Sequence, residues 1–220
     1  MEGREYYTQP RPEMLPMLPP ARRRILEIGC AEGLFLYSIV GAEEKWGVEP
    51  TEPAAAAAST RLTRVINKPF DEAKKELPLS YFDLVICNDV VEHMTDHDSF
   101  LLEIRQYIAP GGVIVGSIPN VRYYKNPFNL LFAKDWEYKD WGVLDRTHFR
   151  FFTEKSLRRS LSSAGFEVED FRGINGGIEF GFSKWKLAYS LFAILSIVLS
   201  LGYFNDIKHQ QFAFRARPVG

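Results

Sequence analysis

The stretch Ile25-Leu-Glu-Ile-Gly-Cys-Ala-Glu-Gly-Leu-Phe35 constrains this chain more than any other. A short apolar run with strand character leads straight into a glycine-bearing turn, and helix-forming residues follow at once. Gly29 and Gly33 have no side chain, so a turn built on them lets the backbone come close to a bound ligand. The same strand-then-helix rhythm continues along the chain. Strands are expected over 25–28, 46–48, 65–66, 84–87, 113–117 and 166–171, with QFAFRAR (211–217) as a further strand-like run. Helices are expected over 32–40, 53–62, 98–108 and 154–164. Thr153 reads as an N-cap, Gly165 as a C-cap, and Pro110-Gly111-Gly112 as a stop. Such alternation implies an α/β fold with a mainly parallel sheet covered by helices on both faces.

Charge and spacing narrow the ligand. Twenty-seven basic residues stand against 28 acidic ones, so nothing draws the chain generally toward nucleic acid. Glu49 stands twenty residues after Gly29, at the end of the next expected strand. In nucleotide-binding sheets an acid at this spacing takes the ribose hydroxyls. The turn is G-x-x-x-G rather than G-x-G-x-x-G, and Glu27 and Glu32 put negative charge beside it. That arrangement would repel a pyrophosphate and suit a ligand with a cationic amine and a sulfonium.

These residues resemble the first motif of class I S-adenosylmethionine-dependent methyltransferases, matching it at Glu27, Gly29 and Gly33, with Ala31 at the middle glycine. The resemblance continues through Glu49, FDLVICNDVVEHM (82–94), the 102–117 block with its Pro-Gly-Gly turn, and DRTHFRFFTEKSLRRSLSSAGF (145–166). The last segment is similar to small-molecule methyltransferases of ubiquinone and of sugar or polysaccharide pathways. The resemblance implies a Rossmann-like three-layer sandwich with a seven-stranded sheet of order 3-2-1-4-5-7-6, its last strand antiparallel. It implies S-adenosyl-L-methionine as cofactor and methyl transfer to a small-molecule, sugar or lipid-linked acceptor, with oxygen preferred. Glu27, Gly29 and Gly33, with Cys30 in the same turn, would bound the methionine end, and Glu49 would hold the ribose. Asp71 would reach the adenine amine with Phe70 beside the ring, and Asn88 and Asp89 would lie near the sulfonium. The implied strand order would also bring Cys30 and Cys87 near each other on adjacent strands, both reduced.

The histidines supply the candidate chemistry. His148 is the first candidate for the base that takes a hydroxyl proton, and His93 the second. The four-residue spacing of His93 and His97 is compatible with a metal pair, but the intervening residues read as a loop and no metal is expected. His209 reads as solvated. Residues 1–20, rich in proline and carrying Tyr6 and Tyr7, read as an arm running over the domain with at most a short helix around 13–18, and 21–220 as one methyltransferase domain. Within it, the aromatic-rich insertion 121–144 is expected to form a lid over the acceptor.

An apolar helix is expected within 183–205, because residues 187–204 are uncharged. It could pack on its own domain, form a homodimer contact or lie on a membrane surface, with spanning disfavoured by the strand-like run that follows. With two cysteines and no apolar stretch in the first fifteen residues, a cytoplasmic protein, membrane-associated if that helix touches lipid, is the expectation. The competing readings are a cofactor-binding protein without transferase activity and a nicotinamide-dependent oxidoreductase.

Overall fold

In this computed structural model residues 10–219 are described; the expectation for Tyr6 and Tyr7 lies outside them. Seven strands form one sheet: β1 (Arg24–Ile28), β2 (Glu44–Val48), β3 (Arg64–Ile66), β4 (Phe82–Asn88), β5 (Ile108–Pro119), β6 (Phe166–Gly176) and β7 (His209–Pro218). Their order is β3-β2-β1-β4-β5-β7-β6. The first five pair in parallel, as in Leu26↔Trp46 and Glu27↔Ile86. β7 runs antiparallel to both β5 and β6. This is the expected α/β sandwich with the expected strand order.

The apolar runs are buried on both faces because helices cover both. On one side Leu26, Ile28, Val85 and Cys87 join Phe70, Phe100, Ile104 and Leu161. On the other, Ile25, Leu84, Ile86 and Cys30 join Phe35, Leu36, Met14 and Met17. Cys30 lies past the end of β1, beyond the left-handed Gly29 turn, and packs with Ile25 and Leu84, whereas Cys87 on β4 packs with Leu26 and Val85, so the two belong to opposite faces. The expected proximity of the two thiols is therefore corrected. Both are free and buried, and burial pushes both thiols far up from their ordinary value. The arm carries its short helix where the sequence allows one, and that helix is buried against the domain. A 3-10 helix over Pro12–Met17 buries Met14 and Met17 completely.

The helices are α1 (Leu34–Ser38), α2 (Glu52–Ala58), α3 (Phe70–Ala73), α4 (His97–Ile104), α5 (Lys125–Phe128), α6 (Glu154–Ser163) and α7 (Lys184–Leu199). Helix α1 starts later than expected because Gly33, with φ +74°, keeps the turn left-handed up to Leu34. The expected cap on α6 is present as a capping box between Thr153 and Ser156. Pro110-Gly111-Gly112 does not separate helix from strand. It is a bulge inside β5, where Phe82 pairs with Ile108 and Leu84 with Val113.

The 121–144 insertion divides in two. Its first half packs against α7: Phe128 lies 4.7 Å from Tyr189 and Phe132 5.8 Å from Phe192, ring centre to ring centre. Tyr123, Tyr124, Ala193 and Ile207 form a small core there, apart from the two sheet faces. Among the described residues no helix is long and apolar enough to cross a membrane.

Candidate active site

At the carboxyl ends of β1, β4 and β5 the chain must turn away from the sheet, and these turns surround a cavity of about 360 Å³. Glu27, Gly29, Cys30, Asn88, Asp89, His93 and His148 all line it. The second half of the insertion contributes Trp141, Gly142 and Val143 to the wall. Gly29, Ala31 and Gly33 have positive φ of 68°, 48° and 74°. Ala31 thus adopts the left-handed backbone that glycine favours, which costs an ordinary residue about 1–2 kcal/mol. Glu49 holds it there. One oxygen accepts the Ala31 N–H at 3.0 Å and the other the Thr51 N–H at 2.9 Å.

Glu49, Gly33, Phe70 and Asp71 stand outside the cavity wall. Gly33 caps α1 from beneath. Phe70 is buried in the core, edge-on to Phe100 at 4.9 Å and to Tyr107 at 6.5 Å. Asp71 is exposed at the start of α3, and its carboxylate is 3.4 Å from Lys74 Nζ.

Asp89 is the most heavily engaged carboxylate in the cavity. It accepts hydrogen bonds from Arg11, from Ser117 Oγ at 2.8 Å and from Gln211 Nε2 at 2.8 Å. Arg11 also donates to Ser117 Oγ at 2.8 Å and to Glu13 at 2.9 Å, so the arm closes one side of the site. Sequence reasoning missed Arg11, Ser117 and Gln211. An arginine between two prolines gives no periodic signal, and the other two are ordinary strand residues.

The two candidate bases meet. The backbone carbonyl of Glu92 accepts the Phe149 N–H at 2.9 Å, which fixes the 145–150 loop beside the 3-10 turn Val91–His93. The His93 and His148 rings consequently stand 4.8 Å apart at 71°. His148 Nδ1 donates to the Val143 carbonyl at 3.2 Å, and His93 Nδ1 to the Thr147 carbonyl at 3.3 Å. Since a carbonyl only accepts, both rings keep Nε2 as an acceptor. Burial and neighbouring His93 hold His148 below its ordinary value, so its ring is neutral at pH 7. His97 turns away to Ser160 Oγ at 3.2 Å and the Phe152 ring. His209, expected to be solvated, is instead half-buried against Gly173 and Gly176, which have no side chains to exclude its ring.

Burial, opposed by Arg11, lifts the Glu27 carboxyl to about 8. An unfolded Glu titrates near 4.3, so between those values the folded protein keeps a proton that the unfolded chain releases. Stability must then fall as pH rises through that window and level off above it. Calorimetry on cofactor-free protein should show the wild-type melting temperature dropping from pH 5 to pH 8. Glu27→Gln should show a shallower drop, and identical profiles would refute the linkage.

The wall also carries polar atoms without partners: Glu27 Oε2, both side-chain polar atoms of Asn88 and both carboxylate oxygens of Glu92. Buried groups of this kind need a ligand or water. With Gly29 and Ala31 bringing backbone close, the site fits a ligand offering a cationic amine and a sulfonium. A methyltransferase domain family model matches residues 2–170.

The chain belongs to the methyltransferase domain family. It is 31% identical over 158 residues to a protein of Mycolicibacterium smegmatis named as an S-adenosylmethionine-dependent methyltransferase, covering 71% of this chain and 57% of that one. A ubiquinone biosynthesis O-methyltransferase of Rickettsia canadensis is 23% identical over 177 residues, covering 76% and 72%. This chain therefore spans little more than half of the mycolicibacterial relative. The crystal structure of an S-adenosylmethionine-dependent methyltransferase from Archaeoglobus fulgidus shares the fold, with TM-score 0.63, 22% identity and coverage of 93% and 89%. S-adenosylmethionine is the cofactor of this domain, and the domain is a methyltransferase.

Proposed function

We propose that this methyltransferase domain methylates a hydroxyl oxygen of a small apolar or lipid-linked acceptor. The observation that carries the reading is the meeting, in one cavity, of the Gly29 turn, Asn88 and Asp89 with the paired imidazoles of His93 and His148. Bound S-adenosylmethionine supplies a methyl group on positive sulfur. The chain's own work is alignment and proton removal. Glu27 would hold the methionine end of the cofactor, and Asn88 and Asp89 would lie near its sulfonium. Glu49, which already fixes the turn, would hold the ribose through its remaining acceptor capacity, and Asp71 would reach the adenine. His148, and His93 beside it, activate the acceptor hydroxyl through Nε2. Trp141 to Val143 form the apolar part of the acceptor's wall, which is the lid role of that half of the insertion.

The acceptor class is supported by an exposed apolar face on α7 and the first half of the insertion, whose core Val143, a residue of the cavity wall, packs against. Leu187, Leu191, Leu195, Val198 and Leu199 of α7 are exposed, and so are Leu130, Leu131 and Phe132 of the insertion. Exposed Lys184, Lys186 and Lys134 edge this apolar surface, with Trp185 and Tyr203 at its ends. Apolar area with basic and aromatic edges matches an interface helix lying on an anionic lipid surface.

Incubation with methyl-labelled cofactor and cell membranes should place label in the lipid extract as a methyl ether. His148→Ala should lower that incorporation about 100-fold, with cofactor affinity by calorimetry within about twofold of wild type. Label confined to water-soluble nitrogen products, or undiminished incorporation by His148→Ala, would contradict the reading.

A further inference from the structure

Glu92 is the unexplained group in the cavity. Its side chain is 1% exposed, yet neither carboxylate oxygen has a hydrogen-bond partner. The neighbouring acids are committed: Asp89 to Arg11, Ser117 and Gln211, and Asp145 to the Thr147 N–H at 2.8 Å and its hydroxyl at 2.6 Å. A carboxylate left bare in a dry site is expensive unless a cation or a donor meets it. His93 and His148 line the same cavity, and with Nδ1 of each ring on a backbone carbonyl, Nε2 is the ring atom left for a ligand. One ligand atom from each of Glu92, His93 and His148 lies within 4.8 Å of the others.

We propose that Glu92, His93 and His148 bind a divalent transition-metal cation in the cavity. Two imidazoles and one carboxylate suit zinc, cobalt or iron better than magnesium or calcium, whose sites are built from oxygen. The supporting hydrogen bonds are those of a metal site, since both rings donate Nδ1–H to backbone carbonyls and so fix Nε2 as the ligand. Three protein ligands leave coordination positions open to the cavity. The inference rests on the methyl-transfer reading and replaces its base: with Nε2 of both rings on the cation, the cation and not an imidazole would activate the hydroxyl. An acceptor hydroxyl bound at the cation would lose its proton to water. Its oxygen would then form the new O–C bond as the C–S bond breaks, the electron pair staying on sulfur.

The four-residue spacing of His93 and His97 does not describe this cluster. His97 opens α4 and faces Ser160, whereas His148 arrives from 55 residues further along the chain.

The test is cobalt(II) titration of cofactor-free protein, followed by visible absorption and by calorimetry with zinc(II). Wild type should bind one equivalent and give a cobalt spectrum. Glu92→Gln and His148→Gln should each weaken binding at least tenfold, while His97→Gln should match wild type. Circular dichroism confirms that each variant is folded, and S-adenosylmethionine titration of the same samples separates the two readings. Absence of a bound equivalent in wild type, or equal binding by the Glu92 and His148 variants, overturns the cation site. If S-adenosylmethionine still binds in that case, the methyl-transfer reading survives.

Discussion

Gly29→Val should lose at least about 30-fold in S-adenosylmethionine affinity while the protein stays folded. Gly29 has φ +68°, a backbone region a β-branched residue enters only with strain. A Cβ at this position would also sit 2.9 Å from Val90 Cγ2, in the turn that carries β4 into the Glu92 segment. The two effects together amount to about 2–4 kcal/mol, and each 1.4 kcal/mol is a factor of ten. The strain is relieved by moving the turn, and the turn is the cofactor's cradle. The Gly29 N–H donates to the Val48 carbonyl at 2.8 Å, which ties that movement to β2 and then to Glu49. Gly41→Ala is the control: φ there is +82° but nothing lies within 4 Å of an added Cβ. It should soften the fold slightly and leave affinity intact. Calorimetric titration giving Gly29→Val the wild-type affinity would remove this turn from the binding site.

Much of this site was legible because it is local. Strand, glycine turn and helix follow one another within eleven residues, and an acid at the end of the next strand falls beside the turn through parallel pairing alone. The same logic carried Asn88, Asp89 and His93 to the carboxyl end of β4, where the cavity opens. Readings failed where the answer depended on side-chain direction or on distant chain. Cys30 and Cys87 are close in strand order but pack on opposite faces, because the left-handed Gly29 turn takes Cys30 out of the strand's alternation. Glu92 sits between valine and histidine in VVEHM, and nothing in that string says that its carboxylate is buried without a partner. Arg11 reaches across 78 positions to Asp89, a pairing no periodicity encodes. The apolar segment was plain in sequence, whereas its contact with half of the aromatic insertion came only from the fold.

Loss of the Arg11–Asp89 pair should be the largest single effect on stability. Both side chains are mostly buried, 13% and 18% exposed, and removing one partner of such a pair costs about 3–5 kcal/mol because the other stays charged and unmet. The two truncations differ. Asp89→Ala leaves the Arg11 guanidinium with Ser117 Oγ and Glu13, whereas Arg11→Leu leaves Asp89 two neutral donors, Ser117 Oγ and Gln211 Nε2. Arg11→Leu, which leaves Asp89 no cation, should therefore lower the melting temperature by about 6–20 °C, at about 2–4 °C per kcal/mol in a domain of this size, and Asp89→Ala, which leaves Arg11 the Glu13 carboxylate, by about half as much. The double variant should lie well above the sum, with a coupling of about 2 kcal/mol. Additive single effects would show that the contact contributes nothing. A strong coupling would mean that the proline-rich arm is part of the active site's wall, as the buried Met14 and Met17 behind Arg11 already require. Shortening the chain to begin at β1 would then remove a core face and a cavity wall together.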